Sequence, residues 1–268
     1  MTVSAVSPGG RSSWAEVWRY RELLRSLAAR NLKVKYQRSA LGFVWTLLNP
    51  LLTLAVLVAV FTWVVRVPVP HYWAFLVSGY FVWSFFLHML STATYVMAEH
   101  AGLRRSVAFP AEVLVLSATV SRLVEFAVEM AIALAALVLL HHRGIPESFA
   151  LLPALLVLQV LLMLGIVMPL SVLAVYYSDV QHTLPVLMMV LFYASPVFYP
   201  ASLVPEEIRR LYLMNPIAGV LTLYHQILFE GRIPSSTLLG GVAAVSGIVF
   251  LIGHAIFRRH KAVLAEIV

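Results

Sequence analysis

The chain changes character within Tyr36-Gln-Arg-Ser-Ala-Leu-Gly-Phe-Val-Trp-Thr-Leu-Leu-Asn-Pro50, where a basic amphipathic segment gives way to an apolar one. No charged side chain occurs between Arg38 and Arg66. At about 1.5 Å per helical residue, the run 41–65 is long enough to cover the ~30 Å hydrocarbon core of a bilayer. This stretch predicts that the chain starts in the cytoplasm and enters a membrane as a helix.

The composition is typical of an integral membrane protein. Apolar residues make up 61% of the chain, charged residues only 12%, and the mean hydropathy is +0.90, which excludes an ordinary soluble domain. The net charge of +7 does not predict nucleic-acid binding, because the basic residues lie at the ends of apolar runs and form no stripe. Anionic lipid headgroups are the better partners. The absence of cysteine excludes disulfides, thiolate catalysis and cysteine-ligated metals.

The apolar runs predict an all-α integral membrane fold with six transmembrane helices. These segments are 43–65, 72–97, 113–140, 149–176, 182–199 and 238–257. An even number places both termini on one side of the membrane. Because that side carries most of the 19 Lys and Arg residues, the positive-inside rule places both termini in the cytoplasm.

Residues 1–38 are predicted to form a cytoplasmic tail and an interface helix, and residues 39–268 the transmembrane domain. Within 14–35, apolar residues recur at steps of three and four while most charges fall on another side. This pattern is typical of an amphipathic helix on a membrane surface. Such a helix can be a plain anchor or a docking surface for a cytoplasmic protein. The later loop 98–112 is open to two interpretations as well, a protein contact or a solvated turn.

Three ionisable residues, Arg122, Glu125 and Glu129, lie in the third segment, where an unpaired charge costs several kcal/mol. Their spacing of three and four places them on one helical face, so Arg122 can neutralise Glu125. One interpretation is that the helix extends into the cytoplasm and leaves Arg122 and Glu125 at the interface. The other, which suits Glu129 better, is that the face borders a helix interface or a wet cavity.

Four prolines divide the stretch 193–231 into two weakly apolar pieces, 205–214 and 217–229, each too short to span a bilayer. Broken helices at membrane depth occur only where they are buried in protein or line a cavity. We therefore expect two short re-entrant or interfacial helices on the external side, forming a gate. An ordinary external loop with amphipathic helices is the alternative.

Aromatic residues are abundant at the segment ends, where Trp and Tyr usually form interfacial belts. A minority can instead form a track on which sugars stack. The candidates for this path are Trp45, Tyr80, Trp83, Tyr193 and Tyr199.

Motifs of nucleotide binding and hydrolysis are missing. The sequence has no Gly-x-x-x-x-Gly-Lys-Ser/Thr, no Gly-x-Ser-x-Gly and no His-Glu-x-x-His. His141 and His142 are adjacent in a predicted external turn, which does not by itself make a metal site. The chain is therefore predicted not to be an enzyme, with no metal and no cofactor of its own.

Four blocks of sequence resemble the membrane subunits of ABC-2 type exporters, in the branch that exports O-antigen, capsule and teichoic-acid polysaccharides. They are the Lys-Tyr-x-x-Ser-x-Leu-Gly-x-x-Trp pattern that ends at Trp45, Val107-Ala-Phe-Pro-Ala-Glu-Val113, Ser195-Pro-Val-Phe-Tyr199 and Asn215-Pro-Ile-Ala-Gly219. The blocks occur in order, and the resemblance covers nearly the whole chain.

The resemblance implies a homodimer paired with two copies of a separate cytoplasmic ATPase, which holds ATP and Mg²⁺. It assigns a coupling element to 99–109, with candidates Glu99, His100, Arg104, Arg105 and Phe109. It assigns a pair of external gate helices to 205–229, with candidates Glu206, Arg210, Asn215 and His225. The last of these replaces an arginine that is common in the family.

The implied function is ATP-driven export of a glycan on a polyprenyl diphosphate, through a channel at the dimer interface in the cytoplasmic (inner) membrane. Clustered cations attract phosphate, which makes Arg30, Lys33, Lys35 and Arg38 candidates for the substrate entrance. Two alternatives remain open. An ABC-2 exporter of a drug or lipid would not be expected to combine the 36–50 block with the gate pair. A membrane-embedded glycosyl- or acyltransferase would need acidic or histidine residues clustered at one membrane face.

Overall fold

A computed structural model describes residues 14–36, 42, 44–99, 109–142 and 144–260, and in these ranges the regular secondary structure is helical. The helices are α1 (Trp14–Arg19), α2 (Arg21–Tyr36), α3 (Val44–Ala59), α4 (Tyr72–Ala93), α5 (Val96–Glu99), α6 (Glu112–Ala136), α7 (Leu152–Tyr176), α8 (Asp179–Tyr193), α9 (Glu206–Leu213), α10 (Pro216–Tyr224) and α11 (Ser236–His260). Three of them continue into π-helical turns: α3 through Val60–Val64, α6 through Leu137–His142 and α10 through His225–Phe229.

Five helical stretches in the described part of the chain are long and apolar enough to cross a membrane. They are Leu47–Val64, Tyr72–Ala93, Glu112–His142, Glu147–Tyr176 and Ser236–His260. The prediction of an all-α, multi-pass membrane fold is therefore confirmed, and five of the predicted segments have a counterpart of spanning length.

The other predicted segment, 182–199, corresponds to α8, which has only 15 residues and ends at Tyr193. At about 1.5 Å per residue, α8 is roughly 22 Å long, shorter than the ~30 Å hydrocarbon core. It ends early because Pro196 disfavours a helical conformation at Ser195 and lacks an amide hydrogen. The boundary at 199 is therefore wrong, and six crossings stay a prediction.

The predicted amphipathic helix is present, but it consists of α1 and α2 with a turn at Tyr20, and α2 packs against α6. The Ser121 hydroxyl on α6 donates a hydrogen bond to the Ala28 carbonyl at 3.0 Å. Leu27 and Ala28 are buried, whereas Val34, which the apolar pattern places on the same side, is exposed. The buried stripe of α2 therefore ends before its last turn.

Close backbone contact holds α7 and α11 together. A Cβ atom added to Gly165 would lie 2.6 Å from the Phe250 nitrogen, and one added to Gly253 would collide with the backbone of Gly165. Small residues let transmembrane helices approach in this way and gain dispersion energy along their length. Of this pair, α7 also packs on the central helix α4, most of whose residues are buried.

The second predicted short helix exists as Pro216–Phe229, and it is buried among longer helices. Asn215 caps its start, since the Asn215 side-chain oxygen accepts a hydrogen bond from the Ile217 amide at 3.0 Å. Gly231 ends it with a left-handed φ of +67°, as expected at a helix C-terminus. An apolar helix packed on α4, α7 and α11 is not an ordinary exposed loop.

Candidate functional site

A cavity of about 750 Å³ opens between α3, α4, α6 and α8. Its lining combines aromatic rings with polar and charged groups. The lining residues are Lys35, Trp45, Asn49, Pro50, Thr53, Leu57, Tyr80, Trp83, Ser84, Leu87, His88, Arg122, Glu129 and Phe192. Three of the five predicted path aromatics, Trp45, Tyr80 and Trp83, are among them.

The charged lining residues belong to a network that we call the Arg122 cluster: Lys35, Arg122 and Glu129, which line the cavity, and Glu125, which is bound to two of them. The Arg122 guanidinium binds both carboxylate oxygens of Glu129 at 3.0 Å and one oxygen of Glu125 at 3.0 Å. It also donates to the Ser84 hydroxyl of α4 at 3.2 Å. Positions i, i+3 and i+7 of a helix share one face, which is why the spacing in α6 allows this arrangement.

Lys35 joins the cluster from another helix. Its ammonium lies 2.7 Å from Oε1 of Glu125, although the two residues are 90 positions apart. The Lys35 side chain is 48% exposed, whereas those of Arg122, Glu125 and Glu129 are at most 6% exposed. Both acids and both cations are thus paired, and the cluster carries no net charge.

Burial and pairing together explain why charges are tolerated at this depth. Taking an ion out of water costs several kcal/mol, and the attraction to a well-placed counter-ion offsets that cost only if its hydrogen bonds are satisfied. Glu129 borders the cavity and is bound by Arg122 in the bidentate geometry that guanidinium groups favour. Of the two placements predicted for Glu129, a helix interface or a cavity, the structure shows a cavity.

Aromatic rings also line the cavity. The Trp83 ring packs on Phe192 with their centroids 5.5 Å apart. Tyr193 and Tyr199 do not line the cavity. Instead, the Tyr199 hydroxyl donates to the Tyr193 carbonyl at 2.7 Å, outside it.

The predicted entrance and coupling residues divide between described and undescribed parts of the chain. Arg30 and Lys33 are exposed on α2 but do not line the cavity, and Lys35 does. Phe109 is half-buried, and Glu99 ends α5. Outside the described residues lie Arg38, His100, Arg104, Arg105 and the side chain of Glu99.

Sequence reasoning missed the polar residues that complete the cavity: Asn49, Thr53, Ser84 and His88. Asn49 and Thr53 are four positions apart in the charge-free run of α3, and this spacing indicates that both polar side chains share one face of the helix. His88 Nδ1 donates to the Ser84 carbonyl at 2.7 Å, within α4. Its Nε2 is then able to accept a hydrogen bond at the cavity that His88 lines. No group of metal-ligating side chains occurs among the described residues.

The family model described as ABC-2 type transporter matches residues 22–229, a range that includes every residue lining the cavity. This chain belongs to the ABC-2 type transporter family. Its ABC-2 match ends at Phe229, the last residue of the buried α10 helix and its π-helical turn.

Curated ABC-2 relatives are similar to the chain over nearly its full length. The O-antigen export system permease protein RfbA of Myxococcus xanthus is 32% identical over 253 residues, which is 94% of this chain and 97% of that protein. An O-antigen export system permease protein RfbA of Klebsiella pneumoniae is 26% identical, covering 92% of this chain and 95% of that protein. The Polysialic acid transport protein KpsM of Escherichia coli is 23% identical over 91% and 95%.

His225, one of the predicted gate residues of this ABC-2 subunit, centres a second network that we call the His225 cluster. Its Nε2 donates to the Pro196 carbonyl at 2.7 Å, because a carbonyl can only accept. Its Nδ1 lies 2.7 Å from the Ser78 hydroxyl of α4. The ring stacks on Phe75 with their centroids 4.1 Å apart, and a Cβ added to Gly79 would lie 2.6 Å from Cε1. His225 thus ties α10 to α4 and to the turn after α8.

Asn215 has a related role. Besides capping α10, its amide nitrogen donates to the Ser195 hydroxyl at 2.9 Å. Glu206 is exposed on α9, and the side chain of Arg210 lies outside the described residues. Of the predicted gate residues, Asn215 and His225 therefore lie at the same junction between α10 and the turn that follows α8.

His141 and His142, predicted from the sequence only as neighbours in a turn, have a structural role. His141 Nε2 donates to the Phe229 carbonyl at 3.0 Å, and His142 Nε2 to the Leu228 carbonyl at 2.6 Å. These contacts satisfy carbonyl groups at the end of a helix, which otherwise lack partners. The two histidines therefore hold the C-terminal end of the α10 segment against the end of α6.

Proposed function

We propose that this chain is the membrane-spanning subunit of an ATP-driven exporter that moves a polysaccharide across the cytoplasmic (inner) membrane. The observation that carries the proposal is the cavity, which brings aromatic rings and hydrogen-bonding groups together between membrane helices. The names of the ABC-2 relatives, which refer to O-antigen export and polysialic acid transport, support the same substrate class.

The chemistry of the cavity suits sugars. The C–H faces of a sugar ring stack on Trp and Tyr, and its hydroxyls exchange hydrogen bonds with amide, hydroxyl and carboxylate groups. Trp45, Tyr80 and Trp83 supply the first kind of surface, and Asn49 and Thr53 the second. Tyr193 and Tyr199 would continue the aromatic path beyond the cavity. The drug or lipid alternative would be better served by an apolar lining.

A homodimer would complete the channel. The cavity is lined by α3 and α8, whose other faces expose apolar residues such as Leu52, Val56, Val186 and Met189. A second copy packed on these faces would cover them and enclose the path. In this arrangement α8 would be the short fifth of six crossings, with both termini in the cytoplasm.

ATP hydrolysis would take place on two copies of a separate cytoplasmic ATPase, which binds ATP and Mg²⁺. The ATPase would act on the coupling element 99–109 and on α1 and α2. Because α2 packs against α6 and reaches the cavity through Lys35, a displacement of α2 would be felt at the cavity wall. On the external side, α9 and α10 would form the gate.

The substrate would enter as a glycan on a polyprenyl diphosphate. Arg30, Lys33, Lys35 and Arg38 would draw the diphosphate to the cytoplasmic mouth, because cations clustered near a headgroup surface attract phosphate. Glycosyl or acyl transfer is a weaker proposal, since Glu125 and Glu129 are both committed to ion pairs with Arg122.

A matched pair of tryptophan variants tests export. Trp45→Ala removes a partly exposed ring from the cavity, and Trp63→Ala removes a more exposed ring, 75% accessible, that does not line it. We expect Trp45→Ala alone to lower surface polysaccharide several-fold while lipid-linked glycan accumulates inside cells. Equal export by both variants would contradict a path through the cavity.

Copurification tests the partner. The tagged chain is expressed with its genomic neighbours, extracted under conditions that preserve membrane complexes, and assayed for ATPase activity in lipid. A stoichiometric ATPase, with activity lost on disrupting 99–109, is the expected result. Recovery of the chain alone would favour the membrane-enzyme class instead.

A further inference from the structure

The two oxygens of Glu125 are bound by cations from two different helices. Oε1 lies 2.7 Å from the Lys35 ammonium, and Oε2 lies 3.0 Å from the Arg122 guanidinium. Removal of Lys35 would therefore leave this buried carboxylate with a counter-ion on its own helix. In this respect Lys35 differs from Arg122, which is shared by both acids.

The side chains of Lys35 and Arg122 also differ in their exposure to solvent. Lys35 is 48% exposed at the C-terminal end of α2, and Arg122 is 6% exposed within α6. A lysine ammonium sits on a flexible four-carbon stem with three rotatable donors, whereas the Arg122 fork is fixed by its bidentate contact. Rotation about the Lys35 side chain would move the charge by several ångströms without displacing a helix.

We propose that Lys35 is an exchangeable cation at the cytoplasmic mouth of the cavity. Its ammonium group breaks the ion pair with Glu125 and binds the diphosphate of an incoming polyprenyl-linked substrate instead. The proposal rests on the proposed function, because it presumes a lipid-linked diphosphate substrate. Glu125 keeps Arg122 while Lys35 is engaged, and it recovers Lys35 when the diphosphate has passed.

The geometry distinguishes Lys35 from its neighbours. Arg30 and Lys33 are also exposed on α2 but do not line the cavity, so they contribute a general attraction for anions. Lys35 alone among these described cations reaches the cavity wall. A diphosphate bound there would hold the first sugars within reach of Trp45 and Asn49, which line the same space.

The test is diphosphate binding by the purified full chain in nanodiscs of neutral phosphatidylcholine. The probe is a polyprenyl diphosphate, and intrinsic tryptophan fluorescence reports binding. We expect Lys35→Met to weaken the affinity at least tenfold, Lys35→Arg to retain most of it, and the matched control Lys33→Met to change it less than threefold. Glu125→Gln, which removes the carboxylate charge that Lys35 contacts, should bind at least as tightly as the parent.

The source of the phosphate is tested by competition with phosphatidylglycerol and with inorganic diphosphate. Competition by inorganic diphosphate that is weaker than that by the lipid-linked probe, together with weak competition by phosphatidylglycerol, supports a site for lipid-linked diphosphate. Competition by phosphatidylglycerol as strong as that by the probe overturns the proposal in favour of a general anionic-lipid contact, and equally strong competition by inorganic diphosphate overturns the lipid-linked source. Parent-like affinity of Lys35→Met, or an equal loss in Lys33→Met, overturns it too. If the parent itself does not bind the probe, the proposed lipid-linked substrate fails, which distinguishes that failure from a failure of Lys35 exchange.

Discussion

The Arg122 cluster and the His225 cluster both place polar side chains among membrane helices, but they differ in charge and in freedom. The first contains four formal charges, borders the cavity and includes Lys35, which is 48% exposed. In the second, both ring nitrogens of His225 have partners, and the ring is enclosed by Phe75 and Gly79. A network with an exposed member can exchange partners, whereas a saturated and enclosed one fixes the position of the elements it joins.

The difference assigns the two clusters distinct tasks. The Arg122 cluster lies where α2 meets the cavity wall, so a movement of α2 or a charged ligand in the cavity would disturb it. The His225 cluster joins α10 to α4 and to the turn after α8, so it holds this short helix in register with its neighbours. Substitutions in each cluster should therefore affect stability and transport differently.

The largest effect is expected from Arg122→Met. This change leaves Glu125 and Glu129 without the guanidinium that both of them bind, and breaking a buried ion pair typically costs about 3–5 kcal/mol. The melting temperature and folded yield of the purified subunit should fall sharply. Adding Glu125→Gln and Glu129→Gln to the variant should recover much of the loss, because the uncompensated charges are then gone. A single variant as stable as the parent would contradict this account.

A smaller loss is expected from Gly79→Ala. The added Cβ would lie 2.6 Å from the His225 ring, so the ring must shift and lose hydrogen-bond geometry, at a cost of about 1–3 kcal/mol. Gly247→Ala is the control, because no atom lies within 4 Å of a Cβ at that position. In the double variant with His225→Ala, thermal unfolding should show a less than additive effect. Strict additivity would mean that the two residues are not coupled.

The smallest effect on stability is expected from Lys35→Met. A half-exposed ion pair contributes up to about 1 kcal/mol, and Arg122 remains beside Glu125. The melting temperature should stay close to that of Lys33→Met, while the affinity for the diphosphate falls at least tenfold. If Lys35→Met destabilises the subunit as much as Arg122→Met does, Lys35 is a fixed structural member and the contrast between the two clusters disappears.

Contacts within one helix were predictable from spacing. The recurrence of Arg122, Glu125 and Glu129 on one face predicts that Arg122 pairs with Glu125, and hydropathy alone locates the five long helices. The bidentate contact of Arg122 with Glu129 was not predicted. The end of α8 was predicted too late because hydropathy averages over many residues. The apolar run continues past Pro196, whereas the helix ends before it for a local backbone reason.

Contacts between distant helices were not predictable in this way. Lys35 and Glu125 are 90 positions apart, and Ser78 and His225 are 147 apart, so the packing of the helices decides these partners. His141 and His142 have no sequence signal for their role, because the carbonyls they bind belong to a helix that lies 86 to 88 positions later. The cavity itself is a product of packing, although most of its aromatic residues were identified as candidates.

Crosslinking of single cysteines to a stalled glycan tests the central claim, that the cavity is the export path. The chain has no cysteine of its own, so Thr53→Cys on the cavity wall and Leu251→Cys on α11, which is exposed away from it, form a clean pair. With ATP withheld and a thiol-reactive lipid-linked glycan supplied, we predict crosslinking at Thr53→Cys and none at Leu251→Cys. Equal crosslinking at both positions, or crosslinking at Leu251→Cys alone, would contradict the account.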